Sequence, residues 1–190
     1  MTLDPLSLAT VFDGWEGHQV AVVNAVKALT PAQLAWRPAA NQRSVGEVAR
    51  HIAFGRLTWF FRMHPLGGDE LMARIAYWHT DPDGGRHVVE DAYPISEDAA
   101  ELVRWLDLSW AMIASSLSEW RVPDLAVTYR HTYQGQAYAV SRQWTIYRIL
   151  AHDLHHGGQL AFLLGLQGVE VPELGDMGGH LTFPPLAEPE

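Results

Sequence analysis

The stretch that most constrains this chain is Trp144–Leu166, an apolar run worth about six turns of helix that carries His152, His155 and His156 in its middle. At about 3.6 residues per turn, positions four apart stand roughly 40° apart around the axis, with Cβ atoms about 5–6 Å apart. His152 and His156 can therefore aim two imidazoles at one point. Thr145, Ile149, Gln159, Leu160 and Leu163 project to roughly that side, and Ile146, Leu150, Leu154 and Ala161 to the opposite one. A helix apolar nearly all round belongs at the centre of a fold. A buried histidine pair is costly to desolvate, so polar neighbours or a metal must satisfy it.

The length of 190 residues suits one domain with a sizeable core. No uninterrupted apolar stretch approaches the ~18 residues of a membrane span. The net charge of −9 argues against nucleic acid and anionic membranes, both of which attract basic surfaces. The absence of cysteine excludes disulfides and thiolate ligands, which leaves nitrogen and oxygen donors for any metal. Eight tryptophans point to a thick aromatic core or an aromatic-lined cavity. The opening MTLDPLSLAT has neither a basic n-region nor a long apolar segment, so a cytoplasmic location is expected.

Along the chain, residues 6–29 read as a first helix, with Leu8, Val11, Trp15, Val22, Val26 and Leu29 on one stripe. His18, alone among them, reads as a packed residue. Thr30-Pro31 ends that helix, and Leu34–Pro38 reads as a short turn. A second helix starts at Ser44, where Ser44-Val45-Gly46-Glu47 has the capping-box spacing, and ends near Pro65. His51 lies at the edge of its apolar stripe. Residues 64–95 form a long connection, with a short helix expected over Glu70–Trp78 and turn chemistry over residues 80–85. His64, His79 and His87 fall here without ligand spacing and read as surface residues. Ser96–Leu117 reads as a third helix capped by Ser96. The alternation on both sides of Gln134-Gly135 permits a short hairpin, after which Ser141 can cap the fourth helix.

Three imidazoles from His51, His152 and His156 would suit Zn²⁺ or Ni²⁺ and leave coordination positions open for water and substrate, as in catalytic sites. Glu47, one turn before His51, is the carboxylate expected to orient its ring. His155 points ~60° away from His152 and is placed as a replacement ligand, a base at the rim or an interface residue. The competing reading is that these histidines are only packed.

The segments Leu34-Ala35-Trp36-Arg37-Pro38, Ser44–Ile52 and His152-Asp153-Leu154-His155-His156-Gly157-Gly158-Gln159-Leu160 resemble the DinB/YfiT-like metalloenzyme family in order and spacing over about residues 6–166. That family is distinct from the DNA polymerase of the same name. The resemblance implies an all-α four-helix bundle with long crossover connections, to which the residue pattern adds the short β-hairpin before the last helix. The domain is expected over residues 1–170, and the proline-bearing stretch 171–190 reads as an irregular tail. The resemblance implies metal ligands His51, His152 and His156, and a homodimer. It also implies a metal-dependent enzyme that presents a low-molecular-weight thiol to a small-molecule electrophile, as an S-transferase or related isomerase. Trp59, Trp110, Trp144 and Tyr147 are then expected around the electrophile, Arg148 on its anionic group and His155 as a catalytic group. Family members often carry arginine where this chain has Gly157, and an aromatic where it has Arg43. The small profile of Gly157 is expected to permit close helix approach or substrate access. Two alternatives remain. One is a metal-dependent hydrolase in which Asp153 stands in the glutamate place of an H-E-x-x-H motif. The other is a non-catalytic, stress-related binding protein.

Overall fold

The computed structural model describes residues 4–82 and 85–175. The first apolar stripe does not make one helix. A single turn, α1 (Leu8–Val11), is followed by a restart as α2 (Trp15–Lys27), because Gly14 at φ 97° occupies the left-handed region that glycine alone enters freely. Thr30-Pro31 then starts a helix as well as ending one. Thr30 and Gln33 cap each other reciprocally at α3 (Pro31–Ala35), and proline sits where its missing N–H costs nothing.

Ser44 caps α4 (Val45–Phe60) as its spacing predicts. The Ser44 hydroxyl accepts from the Glu47 N–H, and the Glu47 carboxylate accepts from the Ser44 N–H. A 3-10 turn, Phe61–Met63, closes that helix before Pro65. The connection that follows holds α5 (Gly68–Met72) and a hairpin of β1 (Trp78–Thr80) with β2 (Arg86–Val88), in which His79 faces His87. The helix expected over Glu70–Trp78 is therefore shorter. The two strands, three residues each, are too brief to show alternation.

The next helix, α6 (Ala99–Glu119), is capped by Asp98 rather than Ser96, through the Glu101 N–H. The expected hairpin is β3 (Thr128–Tyr133) paired with β4 (Gln136–Ser141). Gln134 and Gly135 both have positive φ, 50° and 75°, the signature of a two-residue turn whose twist matches that of the strands. Ser141 caps α7 (Arg142–Leu166) by accepting from the Trp144 N–H. The start of the tail expected to be irregular is instead a helical turn, α8 (Pro172–Gly175), that seats Leu174 at 1 % exposure. The remainder of that tail, residues 176–190, lies outside the described residues.

The protein is thus mostly helical, with two small antiparallel sheets. Helix α4 packs on α6 and α7, and α2 packs on the same two. Ile52, Leu57, Leu102, Leu106, Ile113, Ile146, Ile149 and Leu160 are fully removed from solvent between them, each stabilising by about 1.5–3 kcal/mol. A further expectation fails. Helix α7 is not buried all round, for Tyr147, Leu154 and Phe162 are 71 %, 38 % and 66 % exposed. It forms one side of the fold rather than its middle.

A buried polar network ties the four long helices together. The Asp153 carboxylate on α7 accepts from Arg56 Nε of α4 at 2.8 Å and from Trp15 Nε1 of α2 at 2.9 Å. Arg56 Nη1 donates to Gln19 Oε1, and Gln19 Nε2 donates to Asp107 of α6. Burial pushes the Asp153 carboxyl up, but the Arg56 charge and the hydrogen bonds outweigh it, so the group is held below its ordinary range. A pair fully out of water costs most when one partner is lost, because a naked charge then stays buried. Asp153→Ala is expected to cost about 3–5 kcal/mol and to lower the melting temperature by roughly 10 °C, read by circular dichroism. The double variant Arg56→Met/Asp153→Leu should recover most of that loss.

Candidate metal centre

Three of the sequence-predicted residues meet. His51 on α4 and His152 and His156 on α7 place one ring nitrogen each within 4.8 Å of one another, a grouping able to hold a metal ion. Ring centres lie 4.8 Å apart for His51–His152, 4.6 Å for His51–His156 and 4.4 Å for His152–His156. The last pair is the i, i+4 pair of one helix, and the first two depend on α4 packing against α7.

The tautomers follow from the neighbours. His51 Nδ1–H donates to the Glu90 carboxylate at 2.9 Å, and His156 Nδ1–H donates to Gln159 Oε1 at 2.6 Å. Each ring therefore keeps a lone pair on Nε2. His152 Nε2 stands 3.2 Å from His51 Nε2. Tetrahedral zinc with bonds of about 2.0–2.1 Å needs donors about 3.3–3.4 Å apart, which this pair meets, while all three nitrogens lie within 4.8 Å. His152 Nδ1 is buried without a hydrogen-bond partner, and Asp153 Oδ1 lies 3.7 Å away. Burial, only partly offset by Gln159 and reinforced by the other histidines, pushes His156 down to about 4, which keeps it neutral and able to ligate at physiological pH.

The carboxylate on His51 is not the one expected. Glu47 is held by the Ser44 amide and by Arg37 at 2.9 Å. Glu90, from the long connection, takes the role instead. Burial pushes the Glu90 carboxyl up, and His51, Arg43 and Arg50 more than offset it, so it stays below its usual value. Arg43, the residue in place of the family's common aromatic, reaches that same carboxylate at 3.3 Å. No local pattern near Glu90 announces this contact across 39 residues of chain.

Two glycines make room for histidine rings, one of them in the cluster. A Cβ at Gly55 would stand 2.6 Å from His152 Cε1, and one at Gly157 would stand 2.4 Å from His18 Cε1. His18 is the packed residue expected, fully buried, with Nε2 3.0 Å from the Asp153 carbonyl oxygen. Gly157 thus serves close helix approach, with the His18 ring against it.

The remaining candidates separate. His155 is exposed at the rim, its ring 4.8 Å from that of His156. Arg148 lies over the Trp59 ring at 4.4 Å and lines a cavity shared with His51 and His152. Trp59 and Trp144 line the neighbouring cavity. Trp110 instead packs against Trp15 at 5.8 Å, and Tyr147 points outward at 71 % exposure, so neither joins the aromatic lining expected of them. Asp153, the base required by the hydrolase alternative, has no exposure and is committed to Arg56 and Trp15. Among the described residues, no helix is long and apolar enough to cross a membrane.

A mostly helical protein with a three-histidine cluster between two of its long helices is the class that fold and site define. The model of the DinB superfamily matches residues 15–160, and the chain belongs to that superfamily. A crystal structure of a DinB-like protein from Bacillus cereus ATCC 10987 is similar at a TM-score of 0.63 and 18 % identity, over 89 % of this chain and 98 % of that one. At that identity the likeness speaks for the fold. The comparison with curated proteins gives no match.

Two expected outcomes follow from this geometry. Gly157→Ala should lower the melting temperature, although alanine favours helix by ~1 kcal/mol, because His18 has no room to move. Gly158→Ala, with nothing within 4 Å of the added Cβ, should raise it. In metal-free protein, the unfolded chain protonates His156 near 6.5 whereas the folded chain resists until about 4. Stability from this group is complete above pH 6.5, falls as the pH drops through that window and levels off below it. Denaturant titrations with a chelator should show this slope, and His156→Gln should remove its share.

Proposed function

We propose that the protein is a metal-dependent transferase that acts on a low-molecular-weight thiol, with His51, His152 and His156 holding one Zn²⁺ or Ni²⁺. The observation that carries this reading is the convergence of three imidazoles, two of them fixed through Nδ1 by Glu90 and Gln159. Such a donor set is all nitrogen, has one nitrogen pair at the spacing of a tetrahedral metal and leaves a position open to a ligand. A metal held there supplies Lewis acidity that lowers the pKa of a bound thiol.

The chain's own groups then have separate tasks. Glu90 fixes the His51 tautomer and raises the basicity of its free nitrogen. His155, at the rim, accepts the thiol proton and passes it to solvent or to the leaving group. Arg148, beside the cluster and stacked on Trp59, holds an anionic part of the electrophile and orients its carbon toward sulfur. A related isomerase would use the same thiolate for addition and elimination. The hydrolase reading is weakened by the commitment of Asp153 to Arg56.

On this reading the four long helices are a four-helix bundle with long crossovers, supported by the packing of α2 and α4 on both α6 and α7. A second copy of the chain is the partner assigned to the outer face of α7, on the exposure of Tyr147, Leu154 and Phe162.

Purified protein is expected to bind about one equivalent of Zn²⁺ or Ni²⁺ in equilibrium dialysis, and His152→Ala to bind none. Glu90→Gln should weaken binding by about 10–100-fold. Metal-loaded protein, assayed with a thiol panel and a generic electrophile, should give conjugation that a chelator abolishes. Metal binding without conjugation by any thiol would leave the site and remove the transferase.

A further inference from the structure

A cavity of about 770 Å³ lies beside the histidine cluster, within the size range of small-molecule sites. It is walled by the β3–β4 hairpin and by the facing ends of α4 and α7. It shares Thr58, Trp59, His87 and Arg148 with the smaller space that contains His51 and His152. A ligand in the larger cavity therefore reaches toward the cluster past Trp59 and Arg148.

The charge in this cavity is unusual for a protein of net charge −9. Arg62 and Arg148 each place their guanidinium carbon 4.4 Å from the centre of the Trp59 ring. Among the described residues, neither makes an ion pair. The carboxylate on the cavity wall, Asp81, lies against His79 and His87 instead, at 3.3 and 3.7 Å. Arg62 Nη2 donates to the Arg86 carbonyl, and Nη1 is buried with no hydrogen-bond partner. Burial pushes the Arg62 guanidinium below its ordinary value; Tyr129 and Asp81 pull it back, and the Arg148 charge adds to the fall.

Two like charges gathered on one indole, with a donor left over and no ion pair among the described residues, make a site that an anion would neutralise. The guanidinium fork suits the two oxygens of a carboxylate. The surrounding wall is aromatic, with Trp144, Tyr133 and Tyr138 partly exposed toward the space. We infer that this cavity binds an organic carboxylate with a flat apolar body, its carboxylate held between Arg62 and Arg148 and its body against Trp144, Tyr133 and Tyr138. That this ligand is the reactant other than the thiol rests on the function proposed above, whereas its binding needs only the cavity. A neutral analogue of the same shape leaves the two cations unneutralised and binds more weakly.

The test uses the full chain with metal removed by chelation, so that it reads the cavity alone. 2-Naphthoate and 2-naphthylmethanol are titrated by calorimetry, with tryptophan fluorescence as a second signal. Naphthoate should bind at least about tenfold more tightly than the alcohol, with a preference that shrinks as salt is raised. Arg148→Gln and Arg62→Gln should each weaken naphthoate about tenfold and leave the alcohol unchanged. Since Arg62 also holds the Arg86 carbonyl, Arg148→Gln decides alone if the other variant fails to fold. Equal affinities, no naphthoate binding, or indifference to Arg148→Gln would overturn the inference. Metal dialysis of the same protein is scored separately, so a failed metal site and a failed anion site give different results.

Discussion

The Asp153–Arg56 ion pair sets the rotation of α7, and the histidines depend on that rotation. Asp153 is one position from His152 and three from His156 on the same helix. With its carboxylate fixed by Arg56 and Trp15 at 2.8 and 2.9 Å, the helix cannot turn about its axis without leaving charge unpaired in a dry interior. The neighbouring imidazoles are then aimed at α4, where His51 waits. A purely apolar seam would hold the helices together but fix that angle less sharply, since leucine and isoleucine contacts tolerate sliding that a short charged hydrogen bond does not. His18 and Gly157 add a steric stop on the other side, with ring and backbone in close contact.

Around this fixed helix, the long connection between α4 and α6 completes the site. It returns Glu90 to His51 and lays the β1–β2 hairpin beside the end of α4, where the Val88 N–H donates to the Thr58 hydroxyl. It also brings Asp81 and His87 to the cavity wall, with His79 against Asp81. Connections of this length without a long helix usually have such a role. Here it supplies a hydrogen-bond acceptor to the His51 ring and one wall of a cavity, while the helices supply the three rings of the cluster.

What was legible in the sequence follows the range of the interaction. Capping signals act within three residues, so Ser44 with Glu47 and Ser141 with Trp144 could be read directly. The Gln134-Gly135 turn and the His152/His156 pair are equally local. The helix start at Asp98 was missed because two competent caps stand two residues apart and packing chose between them. The outward face of α7 was misread because periodicity reports which residues are apolar, not which of two apolar faces meets the core. Glu90, Gly55 and Arg62 act across tens of residues, and no spacing rule reaches that far. Glycine at position 55 has a reason only once His152 is seen against it.

The electrostatics of the two halves of the site are opposed, and the opposition is built from the same helices. On one side of the His51 ring, Glu90 supplies negative charge, with Arg43 and Arg50 holding its carboxyl ionised. Its hydrogen bond makes the ring a better donor to a cation. On the other side, past Trp59, two guanidiniums raise the potential of the larger cavity. A cation placed at the histidines would therefore meet a field that favours it from the Glu90 side, and an anion entering past Trp59 would meet one that favours it from the arginine side. The indole between them is a stacking surface for both guanidiniums and lines both cavities. On the function proposed above, such an arrangement would hold positive and negative partners each on its own side and bring them together without letting the protein's own charges neutralise each other first.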